Sequence, residues 1–194
     1  MIWEGITHPV WSFYTLKNGI PRLRTIEHYT NNNDMKFVSG FVGNRLGGTL
    51  DWDYCRELKE AWDGPVVLKG ILHPDDAEKA IEAGMDAVYV SNHGGRQFNG
   101  ASTAIEALPA IVKKVNKRVP VIFDSGVRTG LDIMRAIYLG ADFVFAGRPF
   151  IYGVAALGKY GGDHAVEIFT DDLKNNMVQL GVANFEELQK GSQK

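Results

Sequence analysis

From residue 51 onward, short apolar runs alternate with segments of helical spacing. Trp52, Cys55, Leu58 and Trp62 recur at helical intervals, with Thr49 or Asp51 as the cap. Gly64-Pro65 ends that helix, and Val66-Val67-Leu68 reads as a strand buried on both faces. Pro74-Asp75-Asp76 opens a second helix with proline at its start and acids in its first turn. Ala77, Ala80 and Ile81 line one face of it, and Gly84 closes it. The pattern then predicts strands at Ala87–Val90, Val121–Phe123 and Phe143–Phe145, and helices at Ile105–Val115 and Leu131–Leu139. Further helices are expected at Ile151–Leu157 and Ala165–Leu180, with a last turn at Phe185–Leu188.

Residues 1–50 lack such periodicity. They hold Trp3, Trp11, Phe13, Tyr14 and Tyr29, then the polar run Asn31-Asn32-Asn33-Asp34, with Gly47-Gly48 near the end. This stretch reads as a partly ordered lid or loop, and 51–194 as the folded domain. A loop that long is unusual inside a compact domain.

The βαβαβαβα order implies an α/β fold with a parallel sheet. It also contains an echo. Ala83-Gly84-Met85-Asp86-Ala87-Val88-Tyr89-Val90 resembles Leu139-Gly140-Ala141-Asp142-Phe143-Val144-Phe145-Ala146, and Pro65–Leu68 resembles Pro120–Phe123. Repeated βα units with polar strand ends point to a (β/α)₈ TIM barrel, whose sites collect at the carboxyl ends of the strands. Four units are countable and a barrel needs about 250 residues, so a half barrel is expected.

The composition narrows this little. Apolar residues make up 45% and charged residues 23% of 194, as in ordinary globular chains. The net charge of −2 gives no case for nucleic acid as a partner. Cys55 is the single cysteine, which excludes an intrachain disulfide and fits a reducing, cytoplasmic setting. No apolar run approaches the ~18 residues that span a membrane. The start, Met1 to Gly5, does not read as a signal peptide.

Chemistry concentrates at the strand ends: Lys69, then Ser91-Asn92-His93, then Asp124-Ser125-Gly126, then Gly147-Arg148. Asp124 to Gly130 and Ala146 to Pro149 each precede a helix. Glycines at Gly126 and Gly147 let backbone N–H groups approach an anion, and helix amino termini attract it. Val127 lies between Gly126 and the first of two arginines, Arg128 and Arg148, which add charge-assisted hydrogen bonds. Paired loops after the last two strands are the usual phosphate site of barrels. His93 can take a proton near neutral pH, and Arg96 can grip a carboxylate with two bonds. Lys69 would be costly to bury without an anionic partner. His8, His28, His73 and His164 read as structural or solvent-facing, with no spacing that makes a metal site. Lys113, Lys114, Lys117 and Arg118 read as a solvated helix end.

Val67–Gly70, Ser91–Gln97, Phe123–Arg128 and Ala146–Pro149 together resemble the FMN-dependent 2-hydroxy-acid oxidising family, over about residues 50–182. That family includes glycolate oxidase, lactate oxidase, and L-lactate and mandelate dehydrogenases. His8–Trp11 and Asn18–Pro21 are similar, more weakly, to the lactate and mandelate dehydrogenase branch. The resemblance implies FMN as cofactor and a small 2-hydroxy acid, such as L-lactate, as substrate. It implies that Lys69 and Ser91 contact the flavin ring, that His93 takes the hydroxyl proton, and that Arg96 holds the carboxylate. Asp124, Ser125, Gly126, Val127, Arg128, Gly147 and Arg148 would hold the ribityl chain and phosphate. Ser125 stands where many members have glycine, and Asn99 where an aspartate is common.

The resemblance also implies that this is the carboxy-terminal half. Substrate-binding tyrosines and the aspartate that pairs with the catalytic histidine would lie in the other half. A homo-oligomer or a complementary amino-terminal half is then expected, with peripheral contact on the inner membrane face through residues 1–50. Three functions stand open at this point. One is a hydroxy-acid oxidoreductase incomplete in this chain alone. Another is a non-catalytic FMN- or phosphate-binding half barrel that self-associates. The third is an unrelated phosphate-binding barrel, against which the His93/Arg96 pair speaks.

Overall fold

The computed structural model describes residues 2–19, 22–45 and 50–191. The cap Thr49, the pair Ile20-Pro21 and Gly47-Gly48 lie outside the described residues. The chain divides into two compact units, Met1–Leu50 and Asp51–Lys194.

The first unit is not the loop its pattern predicts. It forms four helices, α1 (Ile2–Thr7), α2 (Pro9–Asn18), α3 (Arg24–Thr30) and α4 (Met35–Arg45). Local caps explain them. Pro9 opens α2, Asn31 closes α3 in the left-handed conformation, and Asp34 accepts from Phe37 N at 2.8 Å at the start of α4. These helices left no periodic trace because they bury almost nothing. α2 has no buried residue and α4 only Val38, so no apolar stripe was required.

The second unit carries α5 (Trp52–Ala61), β1 (Val67–Ile71), α6 (Pro74–Glu82), β2 (Ala87–Val90), α7 (Ala104–Val115), β3 (Val121–Phe123), α8 (Gly130–Tyr138) and β4 (Phe143–Val144). α9 (Arg148–Leu157), α10 (Gly161–Leu180) and α11 (Phe185–Gly191) complete it. The sheet is parallel throughout, in the order β1-β2-β3-β4. Asp51 caps α5 by accepting from Tyr54 N, and His73 caps α6 by accepting from Asp75 N. Thr103 and Thr129 close capping boxes with Glu106 and Asp132.

The internal echo has a structural cause. Asp86 and Asp142 each stand just before a strand. Each carboxylate accepts from the backbone of the preceding strand, at Val66 N and Val121 N, both at 2.7 Å. The same aspartates return their own N–H to Val66 O and Val121 O, both at 2.8 Å. Two βα junctions are thus pinned alike.

The sheet has two unlike faces. Val88, Val90, Val121 and Phe123 are buried in one core with Ala77, Ala80, Leu108, Ile111, Val115 and Ala136 from the helices. The other face carries Val67, Lys69, Tyr89, Ile122, Phe143 and Phe145. Of these, Val67, Phe143 and Phe145 are 41%, 58% and 47% exposed. No helix among the described residues is long and apolar enough to cross a membrane.

Candidate functional site

The strand ends meet in one cleft of about 500 Å³. Lys69, His93, Arg96, Asp124, Ser125, Gly126, Val127, Arg128, Gly147 and Arg148 all line it. Ser91 is buried beneath, and its hydroxyl accepts from Lys69 Nζ at 2.8 Å. Every residue expected at the site is therefore at or directly under one opening.

Lys69 projects from β1 and binds Asp124 Oδ2 at 2.5 Å. Gly70 follows it with φ +101°, and the His93 ring lies so close that an added Cβ would meet Cε1 at 3.4 Å. A side chain there would be strained and would press on the imidazole. Burial pushes the Asp124 carboxyl up, but hydrogen bonding, from Lys69 above all, outweighs it and holds the carboxyl below its ordinary range. Ser125 Oγ donates to Asp124 Oδ1 at 2.8 Å.

In the sequence Tyr89 is simply one residue of a strand. Its hydroxyl donates to Asp124 Oδ2 at 3.0 Å, and its ring lies 3.9 Å beneath Lys69 Nζ. Burial first, then the Asp124 charge, pushes the phenol well above its usual range. Phe145 stacks on the same ring at 5.6 Å. Phe145, Ala146, Ile151 and Tyr152 also line the cleft. Strand alternation places Tyr89 and Lys69 on one face, so the pairing was readable in principle once the register was known.

The two helix starts differ. At α8 the Asp132 carboxylate already accepts from Arg128 N and Thr129 N, at 3.0 and 3.1 Å. At α9 no side chain caps Gly147. The start of α9 is therefore the more open of the two to an anion, with Gly126, Arg128 and Arg148 lining the same cleft. Arg148 Nη2 also donates to Gly94 O at 2.9 Å, which ties this loop to the histidine loop.

Four basic side chains, Lys69, Arg96, Arg128 and Arg148, line the cleft against the single carboxylate of Asp124. That excess suits a ligand with a phosphate at one end and a carboxylate-bearing partner beside it. Among the described residues the His93 ring has no hydrogen-bond partner, and no group of three His, Cys, Asp or Glu could hold a metal ion.

Parallel βα units whose strand ends bring an imidazole, a lysine and three guanidinium groups to one cleft have the layout of a barrel-enzyme site. The comparisons give the family directly. The chain matches the FMN-dependent dehydrogenase family over residues 1–193 and belongs to it. It is 37% identical over 193 residues to an L-lactate dehydrogenase of Pseudomonas entomophila, covering 98% of this chain and 51% of that protein. It is 45% identical over 152 residues to an L-lactate oxidase of Lysinibacillus sphaericus, covering 78% and 39%. A crystal structure of mandelate oxidase with (S)-4-hydroxymandelic acid superposes with a TM-score of 0.70 at 37% identity, covering 73% of this chain and 40% of the other. The chain thus spans about half the length of the curated relatives it matches. These neighbours are flavoenzymes of the TIM-barrel type, and the four-stranded sheet is the half barrel expected. FMN is the cofactor of the family.

Proposed function

We propose that this chain supplies the flavin- and substrate-holding side of an enzyme that oxidises a small, lactate-like L-2-hydroxy acid to its 2-oxo acid. The observation that carries this is the shared cleft: His93 and Arg96 line the same opening as Lys69 and the cradle of Gly126, Arg128, Gly147 and Arg148. The names of the relatives, L-lactate dehydrogenase and L-lactate oxidase, support the substrate class.

FMN, when bound, supplies the acceptor for the hydride that leaves the substrate's α-carbon. Arg128, Arg148 and the uncapped start of α9 hold its phosphate, and Asp124 can accept hydrogen bonds from a polyhydroxyl chain. Lys69 sets a positive charge where negative charge develops. Arg96 clamps the substrate carboxylate and so fixes the adjacent hydroxyl near His93. The imidazole takes the hydroxyl proton, leaving the carbonyl of the product.

A second reading is a chain that binds FMN without turnover and self-associates. The His93 ring, with no partner among the described residues to set its tautomer, favours it. One experiment separates the two. The purified chain is titrated with FMN, and its absorbance is recorded before and after anaerobic L-lactate. Bleaching, by the chain alone or once a complementary amino-terminal half is added, supports oxidation, and flavin that stays yellow in both supports binding alone. A chain that does not bind FMN at all overturns both.

A further inference from the structure

The backbone of the histidine loop is held in an uncommon shape. His93 has φ +55°, and Gly94 and Gly95 follow at +65° and +74°. A left-handed histidine persists only where its surroundings over-determine it. Two serine hydroxyls do so here. Ser91 Oγ accepts from His93 N at 3.1 Å. Ser125 Oγ accepts from Asn92 N and Gly94 N, both at 3.2 Å. Three successive amides are thereby gripped from below.

Ser125 is itself out of place. Its φ is +83°, a conformation that glycine adopts without strain and serine does not. Its hydroxyl donates to Asp124 Oδ1 at 2.8 Å while accepting the two amides. A hydroxyl has one proton and two lone pairs, so all its capacity is used inside the protein. Asp124 binds Lys69, and Lys69 binds Ser91. Together with the Ser91–Asn92 backbone, these bonds close a ring that joins β1, β2 and β3 to the histidine loop.

We propose that Ser125 is a positioning residue for His93. Its hydroxyl is engaged by Asp124 and by the loop amides and so fixes the loop that carries the imidazole. A serine is strained here where glycine would not be, and its hydroxyl supplies three hydrogen bonds that glycine cannot. The role of His93 rests on the hydroxy-acid reading above; the clamp itself does not.

The test uses the full chain without flavin or substrate, so its outcome is independent of that reading. Ser125→Gly removes the bonds and relieves the strain; Ser125→Ala removes the bonds alone. Amide exchange followed by NMR should quicken at Asn92 and Gly94 by about tenfold or more in both variants, while Val88 and Phe123 in the ladders keep their protection. The ring-proton resonances of His93 should shift, and those of His73 and His164 should not. Ser125→Gly favours the native φ, so failure to fold does not obscure the result. Unchanged exchange at Asn92 and Gly94 in Ser125→Gly would overturn the proposal.

Discussion

Asp124 receives Lys69 and Tyr89 on one carboxylate oxygen and Ser125 on the other. Its carboxyl titrates below the ordinary range because hydrogen bonding from Lys69 outweighs the opposing effect of burial. A carboxyl depressed in the folded state stabilises the fold above its unfolded value, about pH 4, and that contribution fades as pH falls through the folded value. Comparing melting temperatures of wild type and Asp124→Asn should show the wild-type advantage at pH 6 shrinking below about pH 4. An advantage that does not change with pH would contradict the assignment. At this scale the sequence was informative about identity and silent about pairing. Lys69, Asp124 and Arg148 announced themselves at strand ends. Tyr89 did not, because a tyrosine within an apolar run looks like core until the register sets it beneath Lys69. Ser125 stands out in the sequence only as a departure from glycine, because its bonds to Asn92 and Gly94 depend on how two loops meet.

The helices at the cleft are spaced by glycines. Gly153 of α9 and Gly161 of α10 stand back to back, and a Cβ on either would collide with the other's carbonyl group. Gly161→Ala is therefore expected to destabilise the chain by about 1–3 kcal/mol, read as a lower urea midpoint. Gly162→Ala meets nothing within 4 Å and serves as the neutral control. Because α9 offers its uncapped start to the cleft, the Gly161 variant should also weaken anion binding. Most elements of the second unit were legible: β2 and β3 lie where the apolar runs placed them, and α7 begins within one residue. β1 runs beyond Leu68 to Ile71, because Lys69 breaks the apolar run while keeping strand geometry. The four helices of the first unit were invisible for the opposite reason, since they bury too little to leave a stripe.

The whole second unit is a sheet with helices on one face and bare side chains on the other. β1 and β4 each have one strand neighbour, and Val67, Phe143 and Phe145 stand exposed between them. A second copy turned about a twofold axis would set β4 beside the partner's β1 in parallel and cover both open faces. We expect the purified 194-residue chain to scatter light as a dimer at micromolar concentration. A well-folded monomer across that range would count against this arrangement. The half barrel was legible from counting βα units, whereas the exposed face was not, since continuous apolar strands do not say which side is covered. The order β1-β2-β3-β4 also bears on how the chain folds. Val67 pairs with Ala87, Val88 with Val121 and Ile122 with Phe143, so each ladder joins strands that follow one another along the chain. The cleft draws also on a longer separation, the 55 residues from Lys69 to Asp124. A change at Lys69 or Asp124 therefore touches two strands that are not neighbours in the sheet, so its effect reaches β1 and β3 at once.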